Sequence, residues 1–153
     1  MVDKALIPME PPASLGNTYA YLGSPYSHPD HRMRQKRAEL AARAAGTLIK
    51  SGFPTFSPIA HGHFICQESG VGGDWKTWSA LDSALLMSQN CCCFIGLLLP
   101  GYVVSEGWGK ELVLSLKRPI PAFYMSVHEI VHGLSHDFIV KLNNAFGRER
   151  TAA

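Results

Sequence analysis

Two acidic side chains carry the chemistry that this sequence can offer. In Ser105-Glu106-Gly107-Trp108-Gly109-Lys110-Glu111, two glycines at a two-residue step open a predicted helix. Missing side chains there let a ligand approach the backbone, and the free N–H groups of a helix start favour an anion. Glu111 follows within the first turns, where the helix dipole favours an ionised carboxylate. Such a carboxylate is a nucleophile or base if it faces a pocket, and an ordinary first-turn acid if it does not. Asp82 is the second acid. It lies beside an apolar helical stripe (Trp78, Leu81, Leu85, Leu86), just ahead of the most apolar run in the chain. In a pocket, partial burial would raise its pKa and suit it to donate a proton; elsewhere it would cap a helix or pair with a base. Two carboxylates in different environments are the minimum for cleaving a glycosidic bond.

Other reactive types are less well placed. His61, His63 and Cys66 form a ligand-like cluster, but their spacing matches no common zinc pattern and no fourth ligand is evident. Cys91-Cys92-Cys93 sits in an extended run, where neighbours point to opposite faces, so the three thiols cannot converge on one metal. They read as small hydrophobes in a reducing cytosol. There is no GxGxxG after the first strand, no Walker lysine and no GxSxG elbow.

These residues need a scaffold, and the pattern supplies one. Thr18 to Leu22 reads as a strand, broken by Gly23-Ser24-Pro25-Tyr26. From His31 to Ser51, Leu40, Ala41, Ala44, Ala45 and Leu48 recur at helical steps, with Gly52 as a stop. Six basic residues against Glu39 make the rest of that helix a solvated face with a weak pull on anions. Pro54 to Ser57 is a short strand, Pro58 to Asp74 a long loop with four glycines, and Trp75 to Ser88 a helix. Cys91 to Leu99 is apolar on both faces, as a central parallel strand is. A helix over 105–116, a strand over 119–126 and a helix over 136–146 complete the order. Alternating β and α elements imply a three-layer flavodoxin/Rossmann-like α/β sandwich with a mostly parallel sheet of four to five strands. Residues 1–17 form an irregular leader, 18–147 one domain, and 148–153 a tail. Ligands of such sheets bind beyond the carboxyl ends of the strands, where residues 23–26, 57–63 and 100–111 all fall.

Composition limits the function classes. The 153 residues carry 14 Lys+Arg and 12 Asp+Glu, a net charge of +2, too balanced for a dedicated binder of nucleic-acid polymers. A 46% apolar and 17% charged content excludes bulk disorder. No apolar run approaches a membrane span, and Glu10 and the prolines of the first residues do not suit a signal peptide, so a cytoplasmic protein is expected.

Taken in order, several pieces resemble the nucleoside 2-deoxyribosyltransferase-like proteins, and within them a small bacterial and phage branch, the DUF1937 type. They are Tyr21-Leu22-Gly23-Ser24-Pro25-Tyr26, Ser57-Pro58 with His61, Trp75 and Trp78 with Asp82, and Leu99-Pro100-Gly101 followed by Ser105-x-Gly107-x-Gly109-x-Glu111. The resemblance spans about residues 18–125. It implies that Glu111 attacks the anomeric carbon of a sugar, that Asp82 assists departure of the base, and that Tyr21 orients Glu111. Ser105, where transferases of free nucleosides often carry an aspartate, and Ser24 beside Gly23 imply a nucleoside 5′-monophosphate in preference to a nucleoside. Gly23, Ser24, Tyr26, His61, Trp75, Ser105, Gly107 and Gly109 would then line the substrate site, with His61 and Trp75 near the base. The implied activity is an N-glycosidase or deoxyribosyltransferase that needs no cofactor and works as a homodimer or higher homo-oligomer. The alternative is a nucleotide-sensing module of the same fold without turnover.

Overall fold

The computed structural model describes residues 16–148. Most of the expected leader (1–17) and tail (148–153) therefore lies outside the described residues. The elements run β1 (Tyr19–Gly23), α1 (His31–Lys50), β2 (Thr55–Phe56), α2 (Pro58–Ser69), α3 (Trp75–Leu86), β3 (Cys91–Leu97), α4 (Glu106–Leu116), β4 (Ala122–Met125), α5 (Val127–His132) and α6 (His136–Ala145). The strands form one sheet in the order β2-β1-β3-β4, and all its pairs are parallel.

Helices cover both faces of the sheet. Ala20, Leu22, Cys93, Ile95, Leu97 and Met125 bury one face against Ala41, Ala44 and Leu48 of α1, Ile130 of α5, and Phe138 and Leu142 of α6. Tyr21, Cys91 and Phe94 bury the other against Leu86 of α3, with Leu112 and Leu114 of α4 at its margin. Alternation along β1 thus sends Tyr21 to the α3/α4 side and its neighbours to the α1 side. The same alternation does not hold through the cysteine triplet. Tyr19 pairs with Cys91 and Ala20 with Cys93, so Cys92 is a bulge. Cys91 and Cys93 therefore enter opposite layers, and all four thiols are free.

The expected loop over 58–74 is mostly helix. Ser57 caps α2 through its side chain, which accepts from the Ala60 N–H at 3.2 Å, and Pro58 occupies the first turn. That pairing starts a helix, because proline there forfeits no bond and its fixed φ suits the turn. Only Gly70 to Asp74 remains as a connection before α3, which Asp74 caps. The short α5, stapled by a capping box between Ser126 and Glu129, also lies where no element was expected. Among the described residues no helix is long and apolar enough to cross a membrane.

Candidate functional site

The carboxyl ends of β1 and β3 open onto a cleft with about 690 Å³ of space outside the protein atoms. Its walls come from the segments after β1 (Ser24, Tyr26, Ser27), from α2 (Pro58, Ile59, Gly62, His63, Cys66), from α3 and its approach (Gly73, Asp74, Trp75, Trp78, Asp82), and from the start of α4 (Ser105–Trp108, Glu111). Asp82 and Glu111, 29 positions apart in sequence, meet at this one cleft, and both are buried.

Local sequence explains how each acid gets there. Ser105 caps α4 by accepting from the Trp108 N–H, and its own hydroxyl proton stays available to another acceptor. Glu111 is the sixth residue of that helix, on the face turned to the sheet. It packs over the end of β1, where a Cβ on Gly23 would stand 2.8 Å from Glu111 Oε2 and 2.7 Å from the Phe94 ring. Gly23 thus admits the carboxylate by having no side chain, and it does not itself line the cleft. The Tyr21 hydroxyl donates to Glu111 Oε1 at 2.8 Å. On α3, Asp82 and Leu86 occupy the buried face, four residues apart, while Leu81 is exposed. The stripe expected beside Asp82 is turned, and Asp82 lies on it.

Burial governs both acids. It pushes Glu111 up to about 8; the Tyr21 bond opposes that rise and the nearby Asp82 charge adds to it. Asp82 is pushed up to about 6 by desolvation. Burial thus works against the ionised Glu111 expected from the helix dipole. The residue sits beyond the first turn, where the dipole has faded, in a buried pocket that disfavours charge. Tyr21, buried beside both acids, has its phenol pushed far above the usual value.

Several polar atoms at the cleft find no partner within the protein. Ser24 Oγ, Asp82 Oδ1, Glu111 Oε2 and Trp108 Nε1 are buried without a hydrogen-bond partner among the described residues. A ligand with matching donors and acceptors can satisfy such groups. The opposite end of the cleft is aromatic. Tyr26 hydroxyl and His63 Nδ1 lie 2.8 Å apart, and the Trp78 indole N–H donates to Gly72 O at 2.8 Å, holding the 70–74 connection in place. Burial, with His31 and Arg34 close by, lowers the His63 pKa.

Tyr26, Ser24, Trp75, Ser105 and Gly107 line the cleft as expected residues of a site, and Tyr21 reaches it through Glu111. His61 does not: it is exposed, with its ring against Phe56 and Trp78. His63, two positions on, faces the cleft instead. The phase of α2 decides between them, and a loop reading of that segment has no phase. Gly109 is also outside, on the outer surface of α4. Trp108 is a cleft residue that the sequence did not single out, while His63 and Cys66, read there only as candidate metal ligands, line the cleft as well. Among the described residues no group of three or more His, Cys, Asp or Glu side chains is placed to hold a metal ion.

DUF1937, described as a domain of unknown function, matches residues 18–127. The chain belongs to this family. The DUF1937 match begins just before β1 and ends as α5 starts, so it contains every residue of the cleft and leaves α6 outside. No curated protein matches the chain.

Proposed function

We propose that this DUF1937 domain cleaves the bond between base and sugar in a nucleoside or, preferentially, a nucleoside 5′-monophosphate, by hydrolysis or transfer to a second base. The observation that carries the reading is the buried pair of Asp82 and Glu111 in one cleft, each with an oxygen that has no partner among the described residues. Glu111, held by Tyr21, attacks C1′ as the C–N bond breaks; Asp82 delivers a proton to the departing base. Water, activated by the same pair, or an incoming base then displaces the sugar from Glu111. The aromatic end, with Tyr26, His63, Trp75 and Trp78, supplies faces and polar edges for a flat base. Ser24, Ser105 and the start of α4 suit the phosphate, as the resemblance to nucleoside 2-deoxyribosyltransferase-like proteins implies.

The direct test incubates the protein with pooled ribo- and deoxyribonucleoside 5′-monophosphates, with and without an acceptor base, and follows free base by chromatography. Release of base, lost in Glu111→Ala, is the expected result. Full activity in that variant overturns the nucleophile. Thermal stabilisation by a nucleotide with no base released assigns the cleft to sensing instead.

A further inference from the structure

Arg37 is an anomaly in α1. It is the buried member of a basic helix, with only 9% of its surface exposed. Its guanidinium meets no acid among the described residues. The acids of its own helix and cap are engaged elsewhere: Asp30, the cap, pairs with Arg32, and Glu39 accepts from Gln35. Instead Arg37 donates to three backbone carbonyls: Tyr26 O at 3.3 Å, Ser27 O at 2.7 Å and Pro100 O at 3.0 Å. Its Nε has no partner among the described residues.

The fold makes room for this contact. A Cβ on Gly101 would lie 2.5 Å from an Arg37 terminal nitrogen, and Gly101 takes a φ of +93° that side chains resist. The guanidinium ties the segment after β1 to the segment after β3, directly behind Tyr26 and Ser27 of the cleft wall. Burying a charge without a counter-charge is costly, and carbonyl dipoles offset only part of it. A bound anion in the adjoining cleft would supply the rest. The unpartnered Ser24 Oγ, 3% exposed and lining that cleft, offers such an anion a hydrogen bond.

We propose that Arg37 determines specificity for an anionic ligand: its buried guanidinium sets the cleft's preference for a phosphorylated nucleoside over the same nucleoside without phosphate. This rests on the nucleotide reading above. Arg37 does not line the cleft, so it acts through its field and through the two segments that it joins.

The test measures affinity, so it does not depend on turnover. Calorimetric titration of the full chain, carrying Glu111→Gln to stop reaction, compares each ribo- and 2′-deoxyribonucleoside 5′-monophosphate with its nucleoside. The phosphate is expected to improve affinity about tenfold or more. Arg37→Lys keeps the charge and should keep most of that ratio; Arg37→Gln keeps a donor without charge and should bring the ratio close to unity. A purely structural Arg37 would weaken both ligands together in Arg37→Gln and leave the ratio unchanged, which overturns the proposal. Should that variant fail to fold, salt decides with Arg37 in place. A buried source keeps the ratio nearly constant between about 50 and about 300 mM salt, whereas collapse of the ratio assigns it to surface charges. Binding of neither ligand class sinks the nucleotide reading itself; binding of both with equal affinity sinks only the role of Arg37.

Discussion

Glu111 is enclosed by the Tyr21 phenol, the Gly23 backbone and the Phe94 ring, and Asp82 faces it from α3. The more deeply buried acid keeps its proton longer, so the free cleft holds one proton on the pair between about pH 6 and about pH 8, chiefly on Glu111. The proposed reaction needs that proton on Asp82 and the charge on Glu111. Moving it from one to the other leaves the pair's total charge unchanged. The rate should therefore follow the singly protonated pair, with a maximum near neutrality and limbs at about 6 and about 8. Asp82→Asn removes the partner charge that raises Glu111 and removes the acid. We expect its residual base release to be about a hundredfold lower and its fall at high pH to vanish. An unchanged bell in that variant would show that Asp82 is no part of the titrating pair.

At the scale of elements, the site depends on how closely α4 can approach the end of β1. Gly23→Ala tests this directly, because the added methyl meets the Phe94 ring at 2.7 Å and Glu111 Oε2 at 2.8 Å. The Phe94 ring is fully buried, so the substitution should cost about 1–3 kcal/mol in urea unfolding. It should also displace Glu111 from the Tyr21 hydroxyl and reduce base release more than stability alone explains. A variant of native activity would mean that the close approach is incidental. Much of this arrangement was legible in sequence, because long apolar periodicities are governed by burial. The twenty residues of α1, the all-apolar β3 and the glycine-opened α4 follow from patterns that tertiary contacts only reinforce. The misreadings lie where pattern is weak. Pro58 and Gly62 read as breakers, yet the first opens α2 and the second lies under Trp78 within it. Without that helix, His61 and His63 were interchangeable. Arg37 read as one of a solvated set, because its partners are backbone carbonyls from two distant loops, which no local spacing reveals.

For the whole molecule, a cleft that buries an acid makes folding depend on pH. Glu111 titrates near 4.5 when unfolded and at about 8 in the fold. Between those values the native chain binds the more protons, so stability falls as pH rises; the contribution is fully present below about 4.5 and lost by about 8. Asp82 adds a smaller loss that is complete by about pH 6. Other buried groups, the thiols of Cys91 and Cys93 among them, also favour the native state until their unfolded counterparts ionise. A comparison of two proteins that differ only at position 111 cancels the thiol terms and leaves the coupled pair of Glu111 and Asp82. Glu111→Gln keeps an acceptor for the Tyr21 hydroxyl and cannot ionise. Relative to the parent chain, it should gain about 4 kcal/mol of unfolding free energy between about pH 5 and about pH 8.5. That gain is read from urea titrations at each pH. Parallel curves for the two proteins would mean that Glu111 ionises as freely in the fold as in the unfolded chain. The enclosed, proton-holding cleft would then be lost as a basis for any chemistry at this site.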